Sequence, residues 1–416
     1  MNAILVYIDL LDGPVLVGRL WPRMRQGRES ATFEYDKDWL THPQRFSLEP
    51  ALHLGAGPQH TAADQAIFGA LGDSAPDRWG RTLMKYGERR RAGKEGRAPH
   101  TLGESDYLLL VDDESRQGAL RFAKELGGPF LAESDGIRIP PVIELPRLLA
   151  AADHVESETD SDEELRLLLA PGSSLGGARP KATVRENDGR LAIAKFPQRN
   201  DEFDVEMWEA VTLRLAESSG ITVPAWRIER ISEKSVLLLS RFDRRGQQRI
   251  PFLSAMSMLG ARDHQPRSYL EIADSLRQHG ASPDADIQEL WRRIVFNVLV
   301  SNTDDHLRNH GFLYVGGAGW RLSPAYDLNP VPVEIKPRTL STTITFDSAA
   351  ATLELALEVA EEFGLKPDQA KAVVREVGAA VTQWKQTAKQ MGITDKAIAK
   401  MASAFEHSDL EMARKI

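Results

Sequence analysis

The sequence predicts an α+β chain: a β-rich N-terminal module, then a small sheet-rich lobe and a larger helical lobe. Three observations carry that prediction. Residues 3–20 read as two short strands around the turn Asp12-Gly13-Pro14, and Ser30-Ala31-Thr32-Phe33-Glu34-Tyr35 alternates at period two. Residues 165–245 mix strands with one helix, whereas residues 253–310 and 352–405 place apolar residues at helical spacing. Between His154 and Glu164 the chain collects acidic residues with little apolar content, which marks a linker or a helix entry and a boundary near residue 150. The expected division is 1–150, 151–245 and 246–416.

After the first strands, residues Ala62 to Gly87 carry Ile67, Phe68, Leu71, Trp79 and Leu83 at helical spacing. Residues 88–100 are basic, from Arg89-Arg90-Arg91 to Lys94 and Arg97, and read as a solvated loop rather than a nucleic-acid arm. Near the end, Leu353, Ala356, Leu357, Ala360 and Phe363 predict helices packed on the large lobe, with Trp384 and Met401 in the core.

Composition bounds the function. The 416 residues suit two or three domains, and 52 Lys+Arg against 60 Asp+Glu give a net charge of −8, so no global positive field recruits a polyanion. Zero cysteine removes disulfides, cysteine nucleophiles and thiolate metal sites. The apolar start breaks at Asp9, too early for a secretory signal, and no stretch reaches the ~18 apolar residues of a membrane span. A cytoplasmic protein with no membrane partner is expected.

The chemistry concentrates in Asn302-Thr303-Asp304-Asp305-His306-Leu307-Arg308-Asn309, which follows a helical stripe of Leu290, Ile294, Val295, Val298 and Leu299. Asp304 and Asn309 have the spacing of the Asp and Asn in the catalytic loop of protein kinases, where the Asp accepts a hydroxyl proton and the Asn ligates magnesium. Alone, such a pair is ordinary turn chemistry. A hairpin then follows, Phe312 to Val315 and Trp320 to Ser323 around Gly316-Gly317-Ala318-Gly319, and ends in Ser323-Pro324-Ala325-Tyr326-Asp327-Leu328. An out-and-back hairpin returns Asp327 to the loop it left, as a carboxylate suited to magnesium.

Upstream, Arg190 to Phe196 alternates like a strand and carries Lys195 near its end, resembling the kinase strand whose Lys meets the α- and β-phosphates. The helix-like segment from Asp201 to Ser218 offers Glu206 and Glu209 as partners for it. Before the strand lies the Gly-rich run Gly172 to Lys181, whose backbone N–H groups could approach phosphate, though it matches no standard phosphate-loop pattern. The strand Ser235 to Leu239 runs into Ser240-Arg241-Phe242-Asp243-Arg244, a hinge where backbone groups could read an adenine edge. In sequence these elements follow the order of a protein-kinase-like two-lobed core.

The strings Ser173-Ser174-Leu175-Gly176-Gly177-Ala178-Arg179-Pro180-Lys181, Arg241-Phe242-Asp243-Arg244, Thr303 to Asn309 and Pro324 to Leu328 resemble the HipA family, serine/threonine kinase toxins of bacterial toxin–antitoxin modules. Val17 to Leu20, Asp73 to Arg81 and Gly118 to Phe122 look like that family's first subdomain. The resemblance implies ATP and Mg2+ as cofactors, a HipB-type DNA-binding antitoxin as partner, and protein substrates such as an aminoacyl-tRNA synthetase. DNA would be reached only through the antitoxin.

Carried over by motif, Asp304 is the catalytic base, Asn309 and Asp327 are metal ligands, and Lys195 is the phosphate-binding lysine. The ATP site takes Gly176, Gly177, Ala178, Arg179, Pro180 and Lys181 from the Gly-rich loop and Ser240, Arg241 and Phe242 from the hinge, with His306, Asn309, Tyr326 and Asp327. Ser174 is the expected autophosphorylation site, with Ser173 its rival, and Glu209 fits the family spacing for the lysine-pairing acid better than Glu206. Asp305 stands where some members have Gly, and an extra carboxylate there would bear on substrate choice or metal affinity. The alternatives are a catalytically silent co-repressor that binds the antitoxin, and a metal hydrolase using Asp304, Asp305, His306 and His310. The second lacks the Glu of a zinc-protease helix.

Overall fold

The computed structural model describes residues 3–132, 139–169, 177–263 and 265–416. The chain forms two compact units: unit 1 is residues 1–200 with 230–253, and unit 2 is residues 201–229 with 254–416.

Unit 1 opens with an antiparallel six-stranded sheet. Its strands are β1 (Ile4–Leu10), β2 (Gly13–Arg25), β3 (Arg28–Tyr35), β4 (Gln59–His60), β5 (Leu120–Ala123) and β6 (Phe130–Leu131). Their order is β4-β3-β2-β1-β5-β6. The β2–β3 hairpin closes with Arg25 opposite Arg28, and both intervening residues, Gln26 and Gly27, take positive φ, the backbone that a two-residue hairpin loop demands. Gly18 is required for space: a Cβ there would lie 2.4 Å from the Glu34 carbonyl.

Helix Arg78–Lys94 starts at Asp77, whose side chain caps the Gly80 N–H. It runs through the stretch expected to be a loop, so that expectation fails for residues 88–94. The reason is long-range charge pairing that local composition does not display. Arg90 bonds Asp160 at 2.7 Å and Asp162 at 3.1 Å, and Lys94 also pairs with Asp162. Buried Glu88 binds Arg97 at 2.6 Å and the His100 N–H at 2.8 Å, turning the chain after the helix.

The acidic run is a helix entry: helices Leu145–Glu156 and Asp162–Leu169 flank it. Their Leu148, Leu149, Val155, Leu165 and Leu168 share one core cluster with Trp79 and Leu83. The same cluster includes Ala182 and Val184 of strand Lys181–Arg185, Ala192 and Ala194 of strand Leu191–Lys195, and Val236 and Leu238 of strand Lys234–Ser240. Residue 150 thus lies inside a helix whose apolar face packs forward onto the next strands, and unit 1 continues past it.

In unit 2, helix Pro283–Leu299 is central, with Leu290, Trp291, Ile294, Val295, Phe296, Val298 and Leu299 fully buried. Helix Val205–Ser218 belongs to this unit rather than with the preceding strands. Its Trp208 packs within 6.3 Å of Trp384 and 6.2 Å of Phe405, and those two rings stack at 4.5 Å. Trp384 and Met401 are core residues as expected. The hairpin Gly311–Tyr314 and Trp320–Leu322 forms as read, anchored by Arg321 on Asp286 at 2.8 Å.

Candidate active site

Helix Pro283–Leu299 ends in a tight reversal at Ser301, which has φ +52°, and the Asn302 N–H returns to the Asn297 carbonyl at 2.9 Å. The polar loop is therefore launched from a rigid helix end. Asp304 is exposed on it, with its side chain 70% accessible, whereas its neighbour Asp305 is buried. Of these two neighbouring carboxylates only Asp304 reaches solvent.

Asp305 points into the unit. It accepts from Tyr269 Oη at 2.5 Å, His310 Nε2 at 2.8 Å and Asn297 Nδ2 at 2.9 Å. Burial works against its charge, but His310 and the Tyr269 hydroxyl hold the carboxyl below its ordinary value. Burial and the Asp305 charge push Tyr269 well above a free phenol. Asp305 is thus an internal anchor of the loop, its carboxylate turned into the unit where that of Asp304 is turned to solvent. His310 is consumed in the same anchor. Among the described residues no group of three His, Cys, Asp or Glu could hold a metal, so the hydrolase reading has no cluster.

Asn309 ends the 3-10 turn Leu307–Asn309. Its Nδ2 donates to the Asp304 carbonyl at 3.4 Å, while its Oδ1 is buried without a hydrogen-bond partner. An orphaned buried oxygen costs free energy unless a donor or cation meets it. His306 Nδ1, in the same loop, is likewise buried and unpartnered. The segment after the hairpin returns as predicted: Tyr326 Oη donates to the Arg308 carbonyl at 2.6 Å, and the Val331 N–H to the Ser301 carbonyl at 3.2 Å. Asp327 follows Tyr326 with φ +61°, a left-handed backbone uncommon for Asp. Unit 2 therefore ties the Tyr326–Asp327 segment back to the loop that carries Asp304, His306 and Asn309.

The reading of the sequence missed Lys336, whose Nζ lies 3.4 Å from Asp304 Oδ1 and 3.3 Å from the Thr303 carbonyl. No local pattern marks it, because the contact depends on the path of residues 331–343. That strap is laced to the loop by the Ser341 N–H on the Thr303 carbonyl and the Thr342 N–H on the Asp305 carbonyl, each at 3.1 Å.

The remaining described candidates lie in unit 1, except Glu209, which is buried on helix Val205–Ser218 of unit 2. Ser173, Ser174 and Gly176 lie outside the described residues. Gly177 takes φ +104°, Ala178 is exposed, and Arg179 donates to Gln198 Oε1 at 3.3 Å. The Pro180 carbonyl accepts the Phe196 N–H at 2.9 Å. Lys181 is buried, 2.8 Å from Asp77 Oδ2 and 3.4 Å from the Gly177 carbonyl. Lys195 ends its strand half-buried, opposite Leu237.

At the hinge, Ser240 pairs with Ala192, and the Arg241 N–H is taken by the Leu191 carbonyl at 3.0 Å. The Arg241 side chain is fully buried on Asp243 at 2.6 Å and on the carbonyls of Ser115 and Arg116 at 2.5 and 3.1 Å. Asp243 also takes the Gly118 N–H at 2.8 Å. Burial opposes its charge, yet Arg241 and Arg244 hold its carboxyl far below the ordinary value. Phe242 is half-buried, its ring 6.4 Å from Phe252. The hinge side chains thus tie residues 115–118 to residues 241–244.

Residues 173–384 match the family model of the HipA-like C-terminal domain. A candidate kinase of Haemophilus influenzae is 29% identical over 151 residues, 33% of this chain and 43% of that protein, so the chain spans under half of that relative. The candidate kinase Y4mE of Sinorhizobium fredii is 28% identical over 342 residues, 75% of each protein. Among solved structures, the toxin–antitoxin complex of HipA, HipB and operator DNA from Shewanella oneidensis MR-1 supplies a chain with TM-score 0.68 and 17% identity, covering 99% of both. That likeness shows the fold, the α+β architecture expected from the sequence.

Proposed function

We propose that this chain, which belongs to the HipA-like C-terminal domain family, is a serine/threonine protein kinase that transfers the γ-phosphate of ATP to a protein hydroxyl. The observation that carries the reading is the pairing of an exposed Asp304 with a buried, unpartnered Asn309 Oδ1 on one loop, to which Tyr326 draws the Asp327 segment. An exposed carboxylate can take a proton from a substrate hydroxyl. Asn309 and Asp327 offer hard oxygens of the kind that suits a magnesium ion completed by nucleotide phosphates and water. Magnesium, when bound, would neutralise phosphate charge during transfer.

In this reading Asp304 orients the hydroxyl and takes its proton as the oxygen attacks the γ-phosphorus, and ADP leaves. Lys336 supplies positive charge beside Asp304, His306 faces the phosphates, and Lys195 holds the α- and β-phosphates. The Gly-rich loop and the Ser240–Phe242 backbone hold the rest of the nucleotide. Autophosphorylation at Ser174 would add a dianion to the Gly-rich run. The kinase names of the two curated relatives support the reaction class. The complex of the structural neighbour with HipB and operator DNA supports a HipB-type antitoxin as partner, with DNA reached through it. The protein substrate we propose, on the family resemblance, is of the aminoacyl-tRNA synthetase kind.

Phosphoproteomics after induced expression of wild type and Asp304→Ala tests this. A site phosphorylated only with wild type supports the reading and names the target, whereas identical phosphoproteomes contradict it.

A further inference from the structure

The Asp327 segment and the Asp304–Asn309 loop are separate in sequence, and any metal shared by Asn309 and Asp327 requires them to hold a fixed separation. Unit 2 contains a relay of hydrogen bonds through Asn329, Asn302 and Asn297 that does this. Asn329 Nδ2 donates to Asp327 Oδ1 at 3.3 Å. The Asn329 N–H donates to Asn302 Oδ1 at 3.3 Å. Asn302 Nδ2 donates to Asn297 Oδ1 at 3.0 Å, and Asn297 Nδ2 donates to Asp305 Oδ2 at 2.9 Å. Asn297, Asn302 and Asp305 are each 1–2% exposed, so the two bonds among them are shielded from water.

The direction of donation is fixed along the whole chain. Asp305, holding its carboxylate, can only accept, so Asn297 must turn its NH2 toward it and its oxygen toward Asn302. Asn302 must then turn its NH2 toward Asn297 and its oxygen toward the Asn329 N–H. A flip of the Asn297 or Asn302 amide breaks two bonds, and a carboxylate at Asn302 would lose the donor that Asn297 needs. The relay meets backbone held in the left-handed region at two points, Ser301 at φ +52° next to Asn302 and Asp327 at φ +61°. Such conformations persist where surrounding contacts over-determine them.

We infer that Asn302 is a positioning residue: by joining Asn329 to Asn297 it locks the Asp327 segment to the catalytic loop and thereby sets divalent-cation affinity. The inference rests on the proposed metal role of Asn309 and Asp327. Residues that orient metal ligands without touching the metal typically change metal affinity or activity by about 10- to 100-fold when removed.

The test titrates Mn2+ calorimetrically into the full chain saturated with ADP, for wild type, Asn302→Ala and Asn329→Ala, with metal-free ADP binding measured alongside. Hydrogen exchange at the Asn329 amide in the metal-free proteins reports the lock itself. The expected result is Mn2+ affinity lowered by about tenfold or more in Asn302→Ala, metal-free ADP binding retained, and faster exchange at Asn329. Should Asn302→Ala not fold, the half-buried Asn329→Ala carries the titration with the same expected direction. Mn2+ affinity unchanged in a folded variant, with wild type binding normally, overturns this inference alone. A wild type that binds no Mn2+ overturns the metal reading and this inference together.

Discussion

Lys181 Nζ lies 2.8 Å from Asp77 Oδ2, joining residues 104 positions apart with both side chains buried. Asp77 also caps helix Arg78–Lys94, and Trp79 Nε1 donates to the Lys181 carbonyl at 3.1 Å. The end of the Gly-rich run is therefore held by the N-terminal module through side chain and backbone alike.

Removing one partner of such a pair leaves the other charge buried and uncompensated. Asp77→Ala is expected to destabilise unit 1 by about 3–5 kcal/mol, read by urea unfolding. Asp77→Ala combined with Lys181→Met should recover much of that loss. A double variant as unstable as the sum of the singles would show that the pair does not couple.

A second expectation concerns pH. Glu49 is buried beside Ala70, whose N–H it accepts at 2.5 Å, and burial raises its carboxyl from 4.5 to about 7. The folded state thus binds a proton that the unfolded chain releases. This contribution is full below pH 4.5 and is lost as pH rises through about 7. The span corresponds to about 3 kcal/mol. Glu49→Gln should flatten the stability profile between these limits, and an unaltered profile would rule Glu49 out as its source.

The aromatic cluster of unit 2 gives a third. Trp208→Ala removes a ring that is 1% exposed and packs on Trp384 and Phe405. A cost of about 3–5 kcal/mol is expected for such a cavity, read by thermal unfolding followed by circular dichroism. A loss no larger than that of a surface substitution would mean that helix Val205–Ser218 is held by other contacts.

Much of the site was legible because its logic is local. The stripe Leu290 to Leu299 gave a buried helix, the Asp304–Asn309 spacing gave the loop, and the Gly316–Gly319 turn gave the hairpin that returns Asp327. What sequence did not reveal depends on partners far along the chain. Arg90 and Lys94 look like a free basic run until Asp160 and Asp162 meet them, so residues 88–94 read as loop when they are helix. Asp305 looks equivalent to Asp304 until Tyr269 and His310 claim it from distant elements. The helix at residue 150 looks like a boundary because its apolar partners, the strands 181–195, come later.

The most direct measurement is transfer of radiolabelled γ-phosphate from ATP by the purified chain in Mg2+, comparing wild type with Asp304→Asn. The substitution keeps the shape of an exposed side chain and removes its ability to take a proton. Label incorporated by wild type, requiring Mg2+ and lost in Asp304→Asn, is the predicted result. Label that persists undiminished in Asp304→Asn would contradict the role of Asp304 as the base, and a wild type that neither binds nor transfers from ATP would contradict the kinase reading.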